Sequence, residues 1–192
     1  MDAGDSHKLI IITAPSGSGK STIVNFLLQH FTNLKFSVSA CTRLPRAGEM
    51  NGVNYHFISA QDFEMKIQED AFAEYEMVYP GKYYGTLKSE LVSIWNQKKY
   101  PLVDIDVQGA MRLKKYYQEN ALTIFIKAPS IEELENRLRK RGTETEESLL
   151  ERISKATEEL SFSNHFDHII VNDNLALACE QTQQLITSFI QK

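Results

Sequence analysis

The sequence is poor in the features that mark secreted, disulfide-rich or membrane proteins. Its 192 residues include only two cysteines, Cys41 and Cys179, which lie far apart in the chain. Because the pair is so sparse, we expect reduced thiols in a cytoplasmic protein and no disulfide framework. Neither cysteine has His or Cys neighbours at zinc-binding spacing. The sequence contains no run of about 18 apolar residues, and the polar segment from Met1 to His7 lacks the apolar core of a secretory signal. We therefore expect neither a membrane span nor a signal peptide.

An excess of positive charge is also absent. The chain has 21 Lys and Arg residues against 25 Asp and Glu residues, which gives a formal net charge of -4 at pH 7. A protein of this charge is not built to bind a nucleic-acid backbone, so we expect no nucleic-acid and no membrane partner. A small anion can still bind in a locally basic cleft. Hydrophobic residues make up 42% of the sequence, which is enough for one substantial core.

The segment from Ala14 to Ser21 carries the clearest chemical pattern. It follows an apolar run at 9–12 and precedes an amphipathic stretch. Gly19, Lys20 and Ser21 match the end of the phosphate-binding pattern G-x-x-x-x-G-K-[ST], and Ala14 occupies its first position. Backbone amides of such a loop and of the following helix bind phosphate, the lysine neutralises charge, and the serine hydroxyl can hold Mg²⁺. The alternative is an ordinary Ser/Gly turn, and alanine suits the first position only if its φ is negative.

Hydrophobic periodicity predicts an α/β protein with alternating strands and helices. Continuous apolar runs predict strands near residues 8–13, 100–107, 121–127 and 168–171. Their alternation with helical patterns is typical of a parallel sheet covered by helices on both faces. Two segments interrupt this order: residues 35–97 are Tyr-rich and antiparallel in pattern, and residues 129–160 are helical and strongly charged. We interpret both as insertions, the first near the binding end of the sheet.

Shorter patterns predict the elements of these insertions. In the first, strands are predicted at 36–40, 53–58 and 83–86, and Ser59 is predicted to cap a helix. In the second, Ser130 and Thr143 each stand three residues before a glutamate, which is the capping-box spacing that starts a helix.

Two aspartates stand at the end of a predicted strand. Asp104 and Asp106 are two residues apart, so their side chains lie on the same face of a strand. Burial of two carboxylates inside a strand costs free energy. At the open end of a strand this cost is avoided, and an acid can face phosphates and a metal. The alternative is a strand end with solvated acids.

Arginines cluster in two further places. Arg43 and Arg46 flank a proline in a loop, where the planar guanidinium either binds a phosphate or belongs to a solvated basic loop. Arg137 and Arg141 are four residues apart on a predicted helix and share a face. That face is either a surface salt-bridge row with Glu133 or a movable clamp on a transferring phosphate.

Six stretches, taken together, carry a family resemblance. They are the loop at 14–21, FSVSACTRLPRAGEMNGVNYHF at 36–57, YYGT at 83–86, VDIDVQG at 103–109, RGTETEES at 141–148 and VND at 171–173. In this order they resemble the guanylate kinase family, whose members phosphorylate GMP with ATP. The resemblance implies a three-layer P-loop NTPase core with a parallel sheet, formed by residues 1–34, 98–128 and 161–192. It further implies a mixed α/β GMP-binding insertion at 35–97 and a helical lid at 129–160.

The resemblance also implies a role for each candidate site residue. Lys20, Arg137 and Arg152 are implied to be catalytic, and Ser21 to hold Mg²⁺ together with nucleotide phosphates and water. The implied ATP-binding residues are Ala14, Pro15, Ser16, Gly17, Ser18, Gly19, Lys20, Ser21, Thr22, Arg137, Arg141 and Asn172, the last near adenine. The implied GMP-binding residues are Ser39, Arg43, Arg46, Tyr55, Glu74, Tyr84, Thr86, Asp104 and Asp106. Of these, Arg43, Arg46, Tyr55 and Tyr84 are expected to hold the GMP phosphate.

The guanine preference is expected to come from Glu74, Ser39 and Thr86. Guanine presents adjacent N–H donors that one carboxylate accepts, hydroxyls can donate to its O6, and adenine lacks that pair of donors. The implied reaction is direct in-line transfer of the ATP γ-phosphoryl group to GMP or dGMP by a monomer or weak homo-oligomer. One alternative is a phosphopeptide-binding scaffold module, although such modules typically lose parts of the loop and lid. The other is a kinase of the same fold that acts on another phosphate monoester.

Overall fold

A computed structural model describes residues 7–79, 81–140 and 145–192. In chain order, its strands and helices are β1 (Leu9–Thr13), α1 (Lys20–His30), β2 (Leu34–Phe36), β3 (Ala40–Cys41), β4 (His56–Phe57), α2 (Ala60–Gln68), β5 (Phe72–Tyr79), β6 (Lys82–Leu87), α3 (Lys88–Asn96), β7 (Tyr100–Asp104), α4 (Val107–Tyr117), β8 (Ala121–Lys127), α5 (Ile131–Lys140), α6 (Glu146–Ser161), β9 (His168–Val171) and α7 (Leu175–Gln191). Among the described residues, no helix is both long and apolar enough to cross a membrane.

The main sheet is parallel throughout and has the strand order β2-β7-β1-β8-β9. Every residue of the central strand β1 is buried, which explains why its sequence is continuously apolar and not alternating. The four predicted core strands are confirmed. The strand β2 at the edge was not predicted as part of this sheet, and the expected insertion boundary at residue 35 falls within it.

Helices cover both faces of this sheet, which gives the predicted three-layer arrangement. Ile10 and Ile12 pack in one cluster with side chains of α1 and α7. Leu9 and Ile11 point to the opposite face and pack with side chains of α3 and α4. Because successive strand residues face opposite sides, one short apolar run supplies both layers, and each fully buried side chain contributes about 1.5–3 kcal/mol.

A second sheet lies beside the first and has the strand order β4-β3-β6-β5. Strand β6 is antiparallel to both β3 and β5, whereas β3 and β4 are parallel, so the sheet is mixed and not wholly antiparallel. Helix α2 covers it through Phe63, whose ring stacks on Phe72 with centroids 4.3 Å apart. Ser59 caps this helix as predicted, because its side chain accepts a hydrogen bond from the Asp62 amide.

The helices α5 and α6 form a small unit with its own core. That core consists of Ala128, Leu134, Leu138, Leu149 and Ala156. Thr145 caps α6 by accepting a bond from the Ser148 amide at 3.3 Å. The predicted capping residue Thr143 lies outside the described residues, and the structure assigns the cap two residues later.

Candidate active site

The phosphate loop joins β1 to α1 at the carboxyl end of the central strand. Gly17 and Gly19 have φ angles of 93° and 90°, a conformation that glycine adopts at no steric cost. Ala14 is not among the described non-glycine residues with positive φ, so it satisfies the condition that the imperfect motif imposed. Gly19 caps α1 without a side-chain hydrogen bond, which leaves the first amides of the helix as donors for an anion.

A cavity of about 310 Å³ lies over this loop and is called the loop cavity below. The loop, the second sheet and α6 all contribute to its walls, which consist of Ala14, Pro15, Ser16, Gly17, Gly19, Lys20, Ser21, Tyr55, Val78, Asp106, Arg152, Lys155 and Glu159. Four described residues of the predicted ATP-binding set do not line it, namely Ser18, Thr22, Arg137 and Asn172. Ser18 is buried behind the loop, and Thr22 lies in the first turn of α1.

Asn172, which follows β9, holds the loop through a hydrogen bond to the loop backbone. Its side-chain amide donates to the Ser18 carbonyl at 2.8 Å and is buried. A Cβ atom at Gly19 would lie only 2.2 Å from the Asn172 Nδ2 atom, so glycine is required there for space as well as for φ. The structure thus gives Asn172 a contact with the loop backbone, while its predicted place near adenine stays a prediction.

Helices α5 and α6 approach the loop through two arginines. Arg137 on α5 forms an ion pair with Glu133, with Nε and Oε1 2.8 Å apart, and donates to the Asn172 carbonyl at 3.0 Å. Arg152 on α6 donates to the Ser16 hydroxyl at 3.2 Å. The predicted salt bridge between Arg137 and Glu133 is therefore confirmed, whereas the clamp on a transferring phosphate stays a prediction. The third predicted arginine, Arg141, lies outside the described residues.

Asp104, the last residue of β7, and Asp106, which follows the strand, have different partners. Asp104 forms an ion pair with Lys20 of the loop. Asp106 caps α4, because its Oδ1 atom accepts from the amides of Gln108 at 2.8 Å and Gly109 at 3.1 Å. This cap explains why β7 ends at Asp104 and not at residue 107 as predicted. Both carboxylates line a second cavity, which also contains Glu74 and adjoins the loop cavity.

Arg43 is held in place by a carboxylate that the sequence motif contained without an assigned role. Its Nη1 and Nη2 atoms lie 2.6 and 2.7 Å from the two carboxylate oxygens of Glu49. Glu49 also accepts from the Arg46 amide at 2.7 Å. The Arg43 guanidinium holds the pKa of Glu49 down to about 2, so this carboxylate is charged at any ordinary pH.

Two tyrosines complete this basic cluster. The Arg43 guanidinium carbon lies 4.9 Å from the centre of the Tyr55 ring, and the Tyr55 and Tyr84 rings meet edge to face at 5.8 Å. Burial raises the pKa of Tyr55 to about 12, so its hydroxyl remains a hydrogen-bond donor. A cavity of about 190 Å³, called the arginine cavity below, is lined by Arg43, Arg46, Lys82, Tyr84, Ser148, Glu151, Arg152 and Lys155. Anions bind favourably in such surroundings.

Glu74 on β5 has a buried carboxyl group, which lines a cavity that adjoins the loop cavity. Its Oε1 atom accepts from the Thr86 amide at 3.0 Å and from the Thr86 hydroxyl at 2.7 Å. Burial, with a smaller contribution from the nearby Asp106 charge, raises the pKa of Glu74 to about 7. A Cβ atom at Gly109 would lie 2.6 Å from the Glu74 Oε2 atom, so this glycine leaves room for the carboxylate. The Thr86 hydroxyl thus positions Glu74 in this arrangement.

The cavity in front of Glu74 has a volume of about 180 Å³ and is called the Glu74 cavity below. Its walls consist of Lys20, Ser39, Tyr55, Glu74, Val78, Tyr84, Gly85, Asp104, Ile105 and Asp106. It shares Lys20, Tyr55, Val78 and Asp106 with the loop cavity, so the two spaces adjoin. Residues of the predicted ATP-binding and GMP-binding sets thus border one continuous region, although Thr86, which was predicted to face the guanine, lines neither cavity.

Five charged residues of these cavities and of the Arg43 ion pair were not predicted as site residues, namely Glu49, Lys82, Glu151, Lys155 and Glu159. Glu49 lies within the stretch at 36–57 that carries the family resemblance, and its short separation from Arg43 was the available signal. Lys155 and Glu159 gave no signal, because charges on an amphipathic helix ordinarily face solvent. Burial raises the pKa of Glu159 to about 7, whereas Lys155 and Lys20 oppose that change.

Comparisons with known proteins give one consistent result. The family model described as guanylate kinase matches residues 6–189. A guanylate kinase from Porphyromonas gingivalis is 50% identical over 186 residues, which cover 96% of this chain and 99% of the relative. One from Chlorobium chlorochromatii is 46% identical over 190 residues, which cover 99% of this chain and 100% of the relative. The crystal structure of a guanylate kinase from Anaplasma phagocytophilum has a TM-score of 0.79 at 27% identity and covers 98% of this chain and 88% of that chain.

Proposed function

The chain belongs to the guanylate kinase family, and on that premise we propose how its residues transfer the γ-phosphoryl group of ATP to GMP. The products are ADP and GDP. One observation carries the proposal. The loop cavity and the Glu74 cavity adjoin, and Lys20 and Asp106 line both of them. One cavity suits a polyphosphate, the other presents a buried carboxylate to a base, and a cluster of arginines and tyrosines lies beside them.

The proposed ATP half consists of the loop and the lid arginines. Backbone amides of the loop and of the start of α1 bind the phosphates, and Lys20 neutralises the charge on the β- and γ-phosphates. Arg137 and Arg152 spread the charge that develops during transfer. Arg141 is assigned the same role by family resemblance, and Asn172 is proposed to lie near adenine while it holds the loop.

The proposed GMP half lies within the second sheet. Arg43, Arg46, Tyr55 and Tyr84 hold the phosphate of GMP. Three of them line the arginine cavity, and the ring of the fourth, Tyr55, contacts the Arg43 guanidinium. Glu74 accepts from the two adjacent N–H groups of guanine, and the buried Ser39 hydroxyl contributes at the same cavity. Thr86 acts on the base through Glu74, whose carboxylate it fixes.

Mg²⁺ is proposed to accompany ATP. Ser21 lines the loop cavity and offers a hydroxyl oxygen, which is the hard donor type that Mg²⁺ prefers. Within the ranges described above, no group of three His, Cys, Asp or Glu side chains could hold a metal alone. This donor set fits an ion held mainly by nucleotide phosphates and water with one protein ligand. When bound, the ion supplies further neutralisation of phosphate charge.

The mechanism needs no covalent enzyme intermediate and no strong general base. The GMP phosphate is already an anion near neutral pH, so catalysis consists of positioning and charge neutralisation. We propose that residues 1–34, 98–128 and 161–192 act as the core, 35–97 as the GMP-binding unit and 129–160 as the lid. Closure of the last two over the substrates excludes water that would otherwise hydrolyse ATP.

A nucleotide panel tests this function. ADP release is measured with ATP, Mg²⁺ and each of GMP, dGMP, AMP, CMP and UMP as acceptor. We expect turnover with GMP, and with dGMP as a weaker or equal substrate, and little with the others. Equal turnover of AMP and GMP would refute the assignment of guanine recognition to Glu74.

We further propose that the protein works in the cytoplasm as a monomer or weak homo-oligomer, with no nucleic-acid or membrane partner. Both cysteines are buried and unpaired, which suits a reducing compartment. The net charge of -4 argues against a nucleic-acid partner. Analytical ultracentrifugation over a range of concentrations tests the oligomeric state.

A further inference from the structure

Two residues of α6 line both the loop cavity and the arginine cavity. They are Arg152 and Lys155, which are three residues apart and therefore lie on one face of the helix. Arg152 has a role already, by resemblance. Lys155 has none, although it also lines a third cavity of about 170 Å³ beside Asp106 and the start of α4. Its side chain thus borders three cavities, two of which are the loop cavity and the arginine cavity.

The electrostatic surroundings of Lys155 agree with that position. Glu159 stands one helical turn further along the same face and also lines the loop cavity. The charges that act on the Glu159 carboxylate include those of Lys155, Lys20 and Asp106. All four residues line the loop cavity, so they form one cluster over the loop. Glu159 is placed to hold Lys155 on the face that points to the phosphates.

We infer that Lys155 is a further catalytic residue, whose ammonium group contacts the phosphoryl group in transit from the loop cavity to the arginine cavity. This inference rests on the proposed function. During transfer, the bond between the γ-phosphorus and its bridging oxygen breaks, and the electron pair goes to ADP. A phosphate oxygen of GMP forms the new bond. Lys155 stays protonated, exchanges no proton and stabilises the charge on the oxygens of the group in transit.

The test compares three variants in the full chain. Lys155→Met keeps the length of the side chain and removes its charge, and Lys155→Arg restores a cation. Lys115→Met is the matched control, because Lys115 is exposed on α4 and lines none of these cavities. Steady-state kinetics give kcat and both KM values, and thermal melting verifies folding. Binding of a bisubstrate compound, with adenosine and guanosine joined by a pentaphosphate bridge, is measured by calorimetry.

We expect Lys155→Met to lower kcat roughly 100-fold, with both KM values changed less than about threefold. Its affinity for the bisubstrate compound should fall by at least about tenfold, and Lys155→Arg should recover most of both losses. Lys115→Met should match the wild type. A kcat of Lys155→Met within about twofold of the wild type, or a loss confined to KM, would overturn the inference alone. A wild type that does not phosphorylate GMP would refute the proposed function and this inference with it.

Discussion

The buried carboxyl group of Glu74 makes the substitution Glu74→Gln a decisive perturbation of GMP binding. One oxygen of Glu74 is fixed by two hydrogen bonds from Thr86, and a glutamine oxygen can accept the same bonds. The amide nitrogen would then present donors to the donors of guanine. Hydrogen bonds to a charged group are worth about 1.5–3 kcal/mol each, so the loss of two raises KM for GMP by roughly 10²- to 10⁴-fold. KM for ATP should be unchanged.

The same residue predicts a pH profile. Because burial raises the pKa of Glu74 to about 7, the carboxylate that accepts from guanine is lost as the pH falls through that value. For the wild type, kcat/KM for GMP should fall about tenfold between pH 8 and pH 6 from this group alone. The phosphate of GMP titrates near pH 6 and Glu159 near 7, so each also contributes. The ratio of wild type to Glu74→Gln removes both contributions, because the variant retains them.

The pH dependence of the free energy of unfolding gives an independent measurement of the raised pKa of Glu74. An unfolded Glu has a pKa of 4.5, so between that value and about 7 the folded state binds the extra proton. Stability is therefore highest below pH 4.5 as far as this group is concerned, and it falls as the pH rises toward 7. At pH 8 the buried charge costs about 3 kcal/mol, and Glu74→Gln should be more stable than the wild type by up to that amount. Urea denaturation at pH 5 and pH 8 measures the difference.

A flat wild-type to Glu74→Gln ratio of kcat/KM between pH 6 and pH 8 would contradict this reasoning. So would equal losses of ATP and GMP affinity in the variant. Product formation should be followed by quenching and chromatography, because coupling enzymes have pH profiles of their own.

Three further substitutions test the loop and the arginine cluster. Lys20→Ala should lower kcat by roughly 10³-fold and leave the melting temperature nearly unchanged, and near-normal kcat in steady-state assays would remove its proposed role. Gly19→Ala should cost about 1–3 kcal/mol from its φ of 90°, and more from the contact with Asn172. Gly48→Ala is its control in urea denaturation, since Gly48 has a φ of 84° and open space around its Cβ position. Glu49→Gln should raise KM for GMP by roughly tenfold through its ion pair, with KM for ATP unchanged. A parallel rise in both KM values would show a general loss of structure.

Hydrophobic patterning predicted the core well because burial there dictates sequence directly. The strand β8 begins and ends where the continuous apolar run at 121–127 placed it. The second sheet was less predictable. Its strands β3 and β4 have two residues each, and their pairing depends on contacts distant in sequence. A strand predicted at 36–40 is in fact divided between two sheets.

The residues of the candidate site also fall into a group that the sequence predicted and a group that it did not. Lys20, Arg43 and Glu74 could be predicted because loop motifs fix their local geometry or because the family resemblance carries them. Lys155 and Glu159 could not, because only the packing of α6 over the loop turns an ordinary charged helix face toward the phosphates. Sequence periodicity reports which face of a helix is polar, but it does not report what that polar face meets.

The pairing of the site's cations with protein carboxylates affects which anions can bind there. Lys20 is paired with Asp104, Arg43 with Glu49, and Arg137 with Glu133. A small inorganic anion that approaches any one of them must share that cation with a resident carboxylate, so it gains little from charge alone. A nucleotide engages several cations at once and adds the contacts of its base and sugar. We therefore expect the carboxylate partners of Lys20, Arg43 and Arg137 to weaken the binding of small inorganic anions at these three cations.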